Sequence, residues 1–304
     1  MTLALAACAS VPKTADALFT EKLPLESGAA VYLFADVEES RPVLDQIQIE
    51  GFGSADTAMI LDRTRYAAAA LFPAESGRGI QAVAWGDYPN VVAGFGLTPK
   101  RGWEKQRSKT GKSYWYSVER GLSLGLSKTQ AFVARTTGAP TPLDPYTQGA
   151  GVDVPEGFTQ FRSDSCLAFW MDEPAEPLAR FFSGLRLPIQ IPAEELMAGL
   201  VALPPAAEAA EAGPEEAETL YEIKMRIKTP SAANARSLVT LFTAARLFIP
   251  RGQGADSETF ALLSLLFARP PQQEGVYLNL RTGPIDERGI ALLFRLFSVY
   301  SMQN

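Results

Sequence analysis

The run Tyr221-Glu-Ile223-Lys-Met225-Arg-Ile227-Lys228 alternates apolar and charged side chains without a break. Successive side chains on a strand point to opposite faces, so this period of two specifies a β-strand with one wet face. A helix would scatter the same residues around its circumference. A strand needs partners, and apolar or alternating runs at 30–35, 66–72, 79–85, 114–118, 122–126, 131–135, 166–171 and 275–281 supply them. The polar stretch Glu75-Ser76-Gly77-Arg78 between two of these runs reads as a hairpin turn.

Helical patterns sit between the strands. A helix or mixed segment is expected over 41–49, and helices over 177–184, 192–203 and 284–300. A further helix starts at Thr229-Pro230-Ser231 and carries a stripe of Leu238, Val239, Leu241, Phe242, Ala245, Phe248 and Ile249. The expected fold is therefore α+β, a mainly antiparallel sheet with amphipathic helices on one face. An apolar strand, a proline-containing turn and a helix recur around 85–89, 169–174, 227–230 and 280–284, which predicts two related halves. The Gly-, Pro- and Thr-rich stretch 138–160 is the natural linker. It divides a first half, 15–137, from a second, 161–304, which carries an acidic, low-complexity loop at 204–218 expected to be mobile.

With 304 residues, 47% of them hydrophobic, and a mean hydropathy of zero, the chain can build a real core and is not a polytopic membrane protein. Its net charge of -6 speaks against nucleic acid as a partner, since phosphate binding needs cationic surface. There is no histidine, which removes the commonest general base and metal ligand. Of the two cysteines, Cys166 lies in an apolar strand and reads as an inert buried thiol. No catalytic residue, metal site or cofactor motif is complete, so a non-catalytic role is expected. Gly111-Lys112-Ser113 lacks the first glycine of a P-loop, and Gly51-Phe52-Gly53 lacks the third glycine of a dinucleotide fingerprint. The pairs Asp172-Glu173, Glu194-Glu195 and Asp286-Glu287 fall where helix capping explains them.

The segment Leu5-Ala6-Ala7-Cys8 resembles the lipobox of bacterial lipoproteins. In that family the cysteine thiol receives diacylglycerol and the preceding peptide is removed, and several acyl chains together give stable anchoring. The resemblance implies lipidation at Cys8 and a place in the bacterial cell envelope, on the periplasmic or outer-membrane side. No Lys or Arg precedes Cys8, and the apolar stretch before it is short. Residues 1–14 are therefore expected to be a truncated signal, the lipobox and a tether. In overall texture the chain also resembles lipid-binding outer-membrane lipoproteins of spirochaetes. That likeness transfers no binding residue.

Two further features are candidates for binding. Leu238, Leu241, Phe242, Phe248, Leu263, Phe267, Leu293 and Phe297 lie on apolar helix faces that either line a site for a lipid or other apolar ligand or simply build the core. Lys100, Arg101, Lys105, Arg107, Lys109 and Lys112 form a basic cluster flanked by Trp103, Tyr114, Trp115 and Tyr116. That cluster either contacts anionic lipid headgroups, helped by interfacial aromatics, or is a charged hairpin whose lysines discourage edge pairing. The function expected is a membrane-anchored envelope lipoprotein that carries a lipid or apolar molecule. The alternative is a structural or assembly protein with an envelope protein as its partner.

Overall fold

The computed structural model describes residues 22–23, 25–46, 58, 60–73, 76–88, 97–107, 111, 113–126, 130–135, 151–184, 190–204, 219–248, 264–265 and 268–293. In chain order the elements begin with β1 (Lys22–Leu23), β2 (Val31–Asp36), α1 (Val37–Gln46), β3 (Thr64–Leu71) and β4 (Ile80–Gly86). Next come β5 (Glu104–Arg107), β6 (Ser113–Ser117), β7 (Leu122–Leu126), β8 (Gln130–Arg135) and β9 (Val152–Asp153). The remainder is α2 (Phe158–Ser163), β10 (Leu167–Asp172), α3 (Ala175–Gly184), β11 (Glu195–Ala202), β12 (Tyr221–Lys228), α4 (Ala232–Phe248), β13 (Gln272–Glu274) and β14 (Tyr277–Arg281). Residues 287–293 are also helical. The expected α+β class, dominated by antiparallel strands, is what is found.

The chain divides into two compact units, and they interleave in sequence: residues 1–28, 36–38 and 49–154 form one, and 29–35, 39–48 and 155–304 the other. In the first unit the strands hydrogen-bond in the order β3-β4-β8-β7-β6-β5, every pair antiparallel. A short pair, β1 with β9, accompanies them. The β3–β4 hairpin follows from the alternation on its strands. Tyr66, Ala68 and Ala70 are buried, and they face Trp85, Val83 and Gln81 across the pair. Cross-strand partners of this kind are the unit of sheet stabilisation. The buried Gln81 is satisfied because its Oε1 accepts the Glu26 N–H at 2.8 Å. Arg78, in the hairpin turn, donates to the carbonyls of Ser27 and Gly28 and lies 4.0 Å over the Phe72 ring, so it holds the 25–28 segment in place.

In the second unit the order is β13-β14-β12-β11-β10-β2, again antiparallel. Trp170 on β10 is the largest fully buried side chain. Its ring stacks on Tyr32 of β2 at 4.3 Å and meets Phe158 of α2 edge-on at 4.9 Å. Such pairs contribute about 0.5–1.5 kcal/mol beyond the area they bury. Arg162, a buried cation on α2, lies 5.0 Å over Phe34 of β2, so the same helix grips the sheet twice.

The structure corrects two expectations. Residues 192–203, expected to be helical, contain the strand β11 instead. The run Leu196–Val201 is apolar on every side, and a central strand paired on both edges buries both faces where a surface helix would need a polar one. Gly199 also fits a strand beneath a closely packed helix. A Cβ there would lie 2.2 Å from Ser165 Oγ and 2.9 Å from Phe161 Cε1. The second correction concerns β12, whose charged face is not simply wet. Glu222 is buried with Arg269 at 3.1 Å and Arg281 at 3.9 Å, and Arg226 stacks 3.9 Å over Tyr277. Lys224 and Lys228 reach Asp164 and Glu194 at 3.8 and 3.9 Å.

Two predictions follow from this packing. Gly199→Ala should destabilise the protein by about 1–3 kcal/mol, the usual range for overpacking, which chemical denaturation will measure. Tyr221 is fully buried and its hydroxyl has no hydrogen-bond partner among the described residues. Burial, with Cys166 and Glu287 nearby, pushes that hydroxyl up to about 12. Because an unpaired buried hydroxyl stabilises nothing, Tyr221→Phe should leave the denaturation midpoint unchanged or raise it.

Candidate functional site

The apolar helix faces belong to the second unit. On α4, Leu238 and Phe242 are buried, whereas Leu241 is 39% exposed and points away from the core. Phe242 meets Phe182 of α3 at 6.1 Å, edge to face, and Leu178, one turn earlier on α3, is buried as well. Leu293 is half-buried at the end of the 287–293 helix. The structure thus brings Phe242 against α3, buries Leu238 one turn earlier on the same helix, and sets Leu241 outside. The side chain of Phe248 and all of Leu263, Phe267 and Phe297 lie outside the described residues, as does Cys8. Sequence reading had not singled out Phe182 or Leu178, whose spacing of four on α3 is the signal that marks them. No helix among the described residues is long and apolar enough to cross a membrane.

The basic cluster belongs to the first unit, on the ribbon formed by β5 and β6. A 3-10 turn over Pro99–Arg101 leads into β5, closed by Gly102 in the left-handed conformation (φ 76). The turn 118–121 joins β6 to β7 and lies beside it. Arg120 Nη1 donates to the Arg101 carbonyl at 3.1 Å, and its guanidinium sits 5.4 Å over Trp103. Lys100, Arg101, Lys105 and Arg107 are exposed, and none has an ion-pair partner among the described residues. Lys109 and Lys112 lie outside those residues.

The aromatic residues do something other than expected. Trp103 and Trp115 are buried, and with Leu97, Leu122 and Leu124 they form a small core under the ribbon. Tyr114 is buried too and Tyr116 half-buried. An interfacial role needs exposed rings, and these are mainly inside. Lys105 lies 5.8 Å over the Trp115 ring, so the cation covers the aromatic instead of standing beside it. Gly111 has φ 84 and Ser113 opens β6, so a strand begins at Ser113 where a P-loop would begin a helix.

Residues 97–126 hold seven cations against two anions, a net of +5 in a chain of -6, which leaves -11 on the rest. That asymmetry gives the ribbon a positive field on an otherwise acidic protein. The sequence reading missed Val118. Counted there as the last residue of a strand, it lies just past the end of β6, in the turn, and is 70% exposed.

The acidic pairs divide in two. Asp286 caps the 287–293 helix, its Oδ1 accepting the Gly289 N–H at 2.7 Å. Asp172 and Glu195 instead face each other across β10 and β11. Burial, then the neighbouring Glu173, raises the Asp172 carboxyl. Burial also raises Glu195, against the pull of Lys228. A carboxyl raised in the folded state binds its proton more tightly there, so its penalty is present at neutral pH and disappears below the unfolded value. Asp172→Asn should therefore melt at higher temperature than the parent at about pH 7, with the gap closing toward about pH 4. A gap that stays constant across this range would show that Asp172 bears no such strain.

Comparison with known proteins places these features. Residues 22–137, which hold β1 to β8 and the basic ribbon, match the family described as outer membrane-associated lipoprotein TP0453. Crystal form I of TP0453 is similar over 90% of this chain and 95% of its own, with TM-score 0.55 and 18% identity. Crystal form III gives 0.59 at 17% identity, covering 88% and 94%, and form IV 0.55 at 18% identity, covering 92% and 99%. At this identity the likeness shows a shared fold. No curated protein matches in sequence.

Proposed function

We propose that this chain is a lipid-anchored protein of the bacterial cell envelope, associated with the outer membrane, that carries a lipid or other apolar molecule without catalysing a reaction. The observation that carries the reading is the match of residues 22–137 to an outer membrane-associated lipoprotein family, together with a fold shared over nearly the whole chain. The lipobox-like Leu5-Ala6-Ala7-Cys8 supports it independently, because it supplies a thiol where such proteins take their lipid. The absence of histidine fits a binding role better than a hydrolytic one.

The Phe182–Phe242 contact of α3 with α4 is the natural place for a ligand. Aromatic and aliphatic side chains there can part around an acyl chain at the expense of contacts such as Phe182–Phe242. The alternative, an assembly protein that binds an envelope partner, draws on the exposed Leu241 on α4 and Leu220 just before β12.

The test has two arms. Native mass spectrometry of the purified protein, with titration of a fluorescent fatty acid, should find bound lipid or saturable uptake, weakened several-fold in Phe242→Ala. Cells fed an alkyne fatty acid should label the protein expressed from its native start, and Cys8→Ala should lose the label. Absence of both lipid and uptake rejects the carrier role, and equal labelling of the two forms rejects the anchor.

A further inference from the structure

We infer that the end of the basic ribbon, where the turns 98–102 and 118–121 lie side by side, is a docking tip for an anionic bilayer surface, with Val118 entering the headgroup layer and Lys100 and Arg101 holding the phosphates. The choice of a bilayer as occupant rests on the envelope reading above. The tip itself rests on the geometry of its two turns.

Val118 is the most exposed of the large apolar side chains among the described residues, at 70%. A lone exposed valine is ordinary on a protein surface, and it gains meaning here from the cations that surround it. Two long hydrogen bonds close the turn that presents it. The Gly121 N–H donates to the Val118 carbonyl at 3.3 Å, with Gly121 at φ 57, and the Arg120 N–H donates to Ser117 Oγ at 3.4 Å. The Arg120 guanidinium, bonded to the Arg101 carbonyl and lying over Trp103, fixes this turn against its neighbour. A Cβ on Gly102 would lie 3.3 Å from the Glu119 carboxylate, which measures how closely the two turns approach.

Around Val118 the charges are those of Lys100, Arg101 and Arg120 against Glu104 and Glu119, and Lys105 and Arg107 continue along β5. A cationic patch alone would suit any polyanion. An exposed valine at its tip suits an interface that is charged outside and apolar within, which is what a bilayer of anionic lipid offers. The buried Trp103 and Trp115 beneath make the tip rigid, so little order need be gained on contact.

The test uses the full chain carrying Cys8→Ser, so that no covalent lipid contributes, and vesicles of phosphatidylcholine alone or with phosphatidylglycerol at about 30 mol%, a surface to which basic side chains are drawn. Sedimentation should show preference for the anionic vesicles. Lys100→Glu with Arg101→Glu should cut partitioning by at least about tenfold, since each cation near such a surface contributes about fivefold. Val118→Asp should weaken it as well, while Arg288→Glu, an exposed cation on the helix at 287–293, should leave it unchanged. A polarity-sensitive dye on Val118→Cys should shift to the blue on anionic vesicles only. Equal binding to both vesicle types, a dye that stays in water, or full binding by the Lys100/Arg101 variant overturns the proposal. Heparin competing as well as vesicles, with no dye shift, would make the tip a polyanion site instead. Fatty-acid uptake and Cys8 labelling are read separately, so loss of the carrier or anchor function is distinguishable from loss of the docking tip.

Discussion

The stack of Tyr32 on Trp170 ties a strand near the beginning of the chain into a sheet whose other members all lie beyond residue 155. β2, β10 and α2 meet at that contact. β10 has β2 on one edge and β11 on the other, so removing β2 would open the edge where the largest buried ring sits. Phe158 and Arg162 then bring α2 onto the same aromatic group, and Gly199 leaves room for that helix on β11. The arrangement orders two distant stretches of chain at once, and the loop between them makes the contact entropically demanding. A large buried aromatic cluster offsets that demand better than scattered aliphatic contacts would.

How far this was legible in the sequence depends on how local each signal is. The β3–β4 hairpin was readable because its alternation and its Ser-Gly-Arg turn lie within about twenty residues, and β12 because its alternation is unbroken. β11 was not, since a six-residue apolar run between prolines satisfies a buried strand and a buried helix alike, and only its two neighbours decide. β5, with the sequence Glu-Lys-Gln-Arg, carries no apolar signal at all and exists because β6 offers it hydrogen bonds. Pairing of β2 with β10 is a long-range choice that no window of sequence contains.

The candidate site shows the same limit. Six cations in thirteen residues are plain in the sequence, and so is their contrast with an acidic chain. Whether the neighbouring tryptophans face water depends on which side of the ribbon is covered, and Leu97, Leu122 and Leu124 cover theirs. Val118 looked like one more strand residue, and the end of β6 at Ser117 makes it a turn residue instead. The distinction is a single position. Its consequence is whether an apolar side chain is part of the core or available at the surface.

The interleaving of the two units also sets an order of events as the chain emerges from a ribosome or a translocation channel. Ala35 pairs with Leu167, so the β10 side of β2 stays open until 132 further residues have been made. In that interval every residue of the first unit, which ends at 154, has been made, while the edge of β2 that will meet β10 still has nothing against it. An open strand edge of this kind is the stretch that a holding chaperone would recognise. The fold therefore concentrates the need for escort on one strand edge, that of Val31 to Asp36.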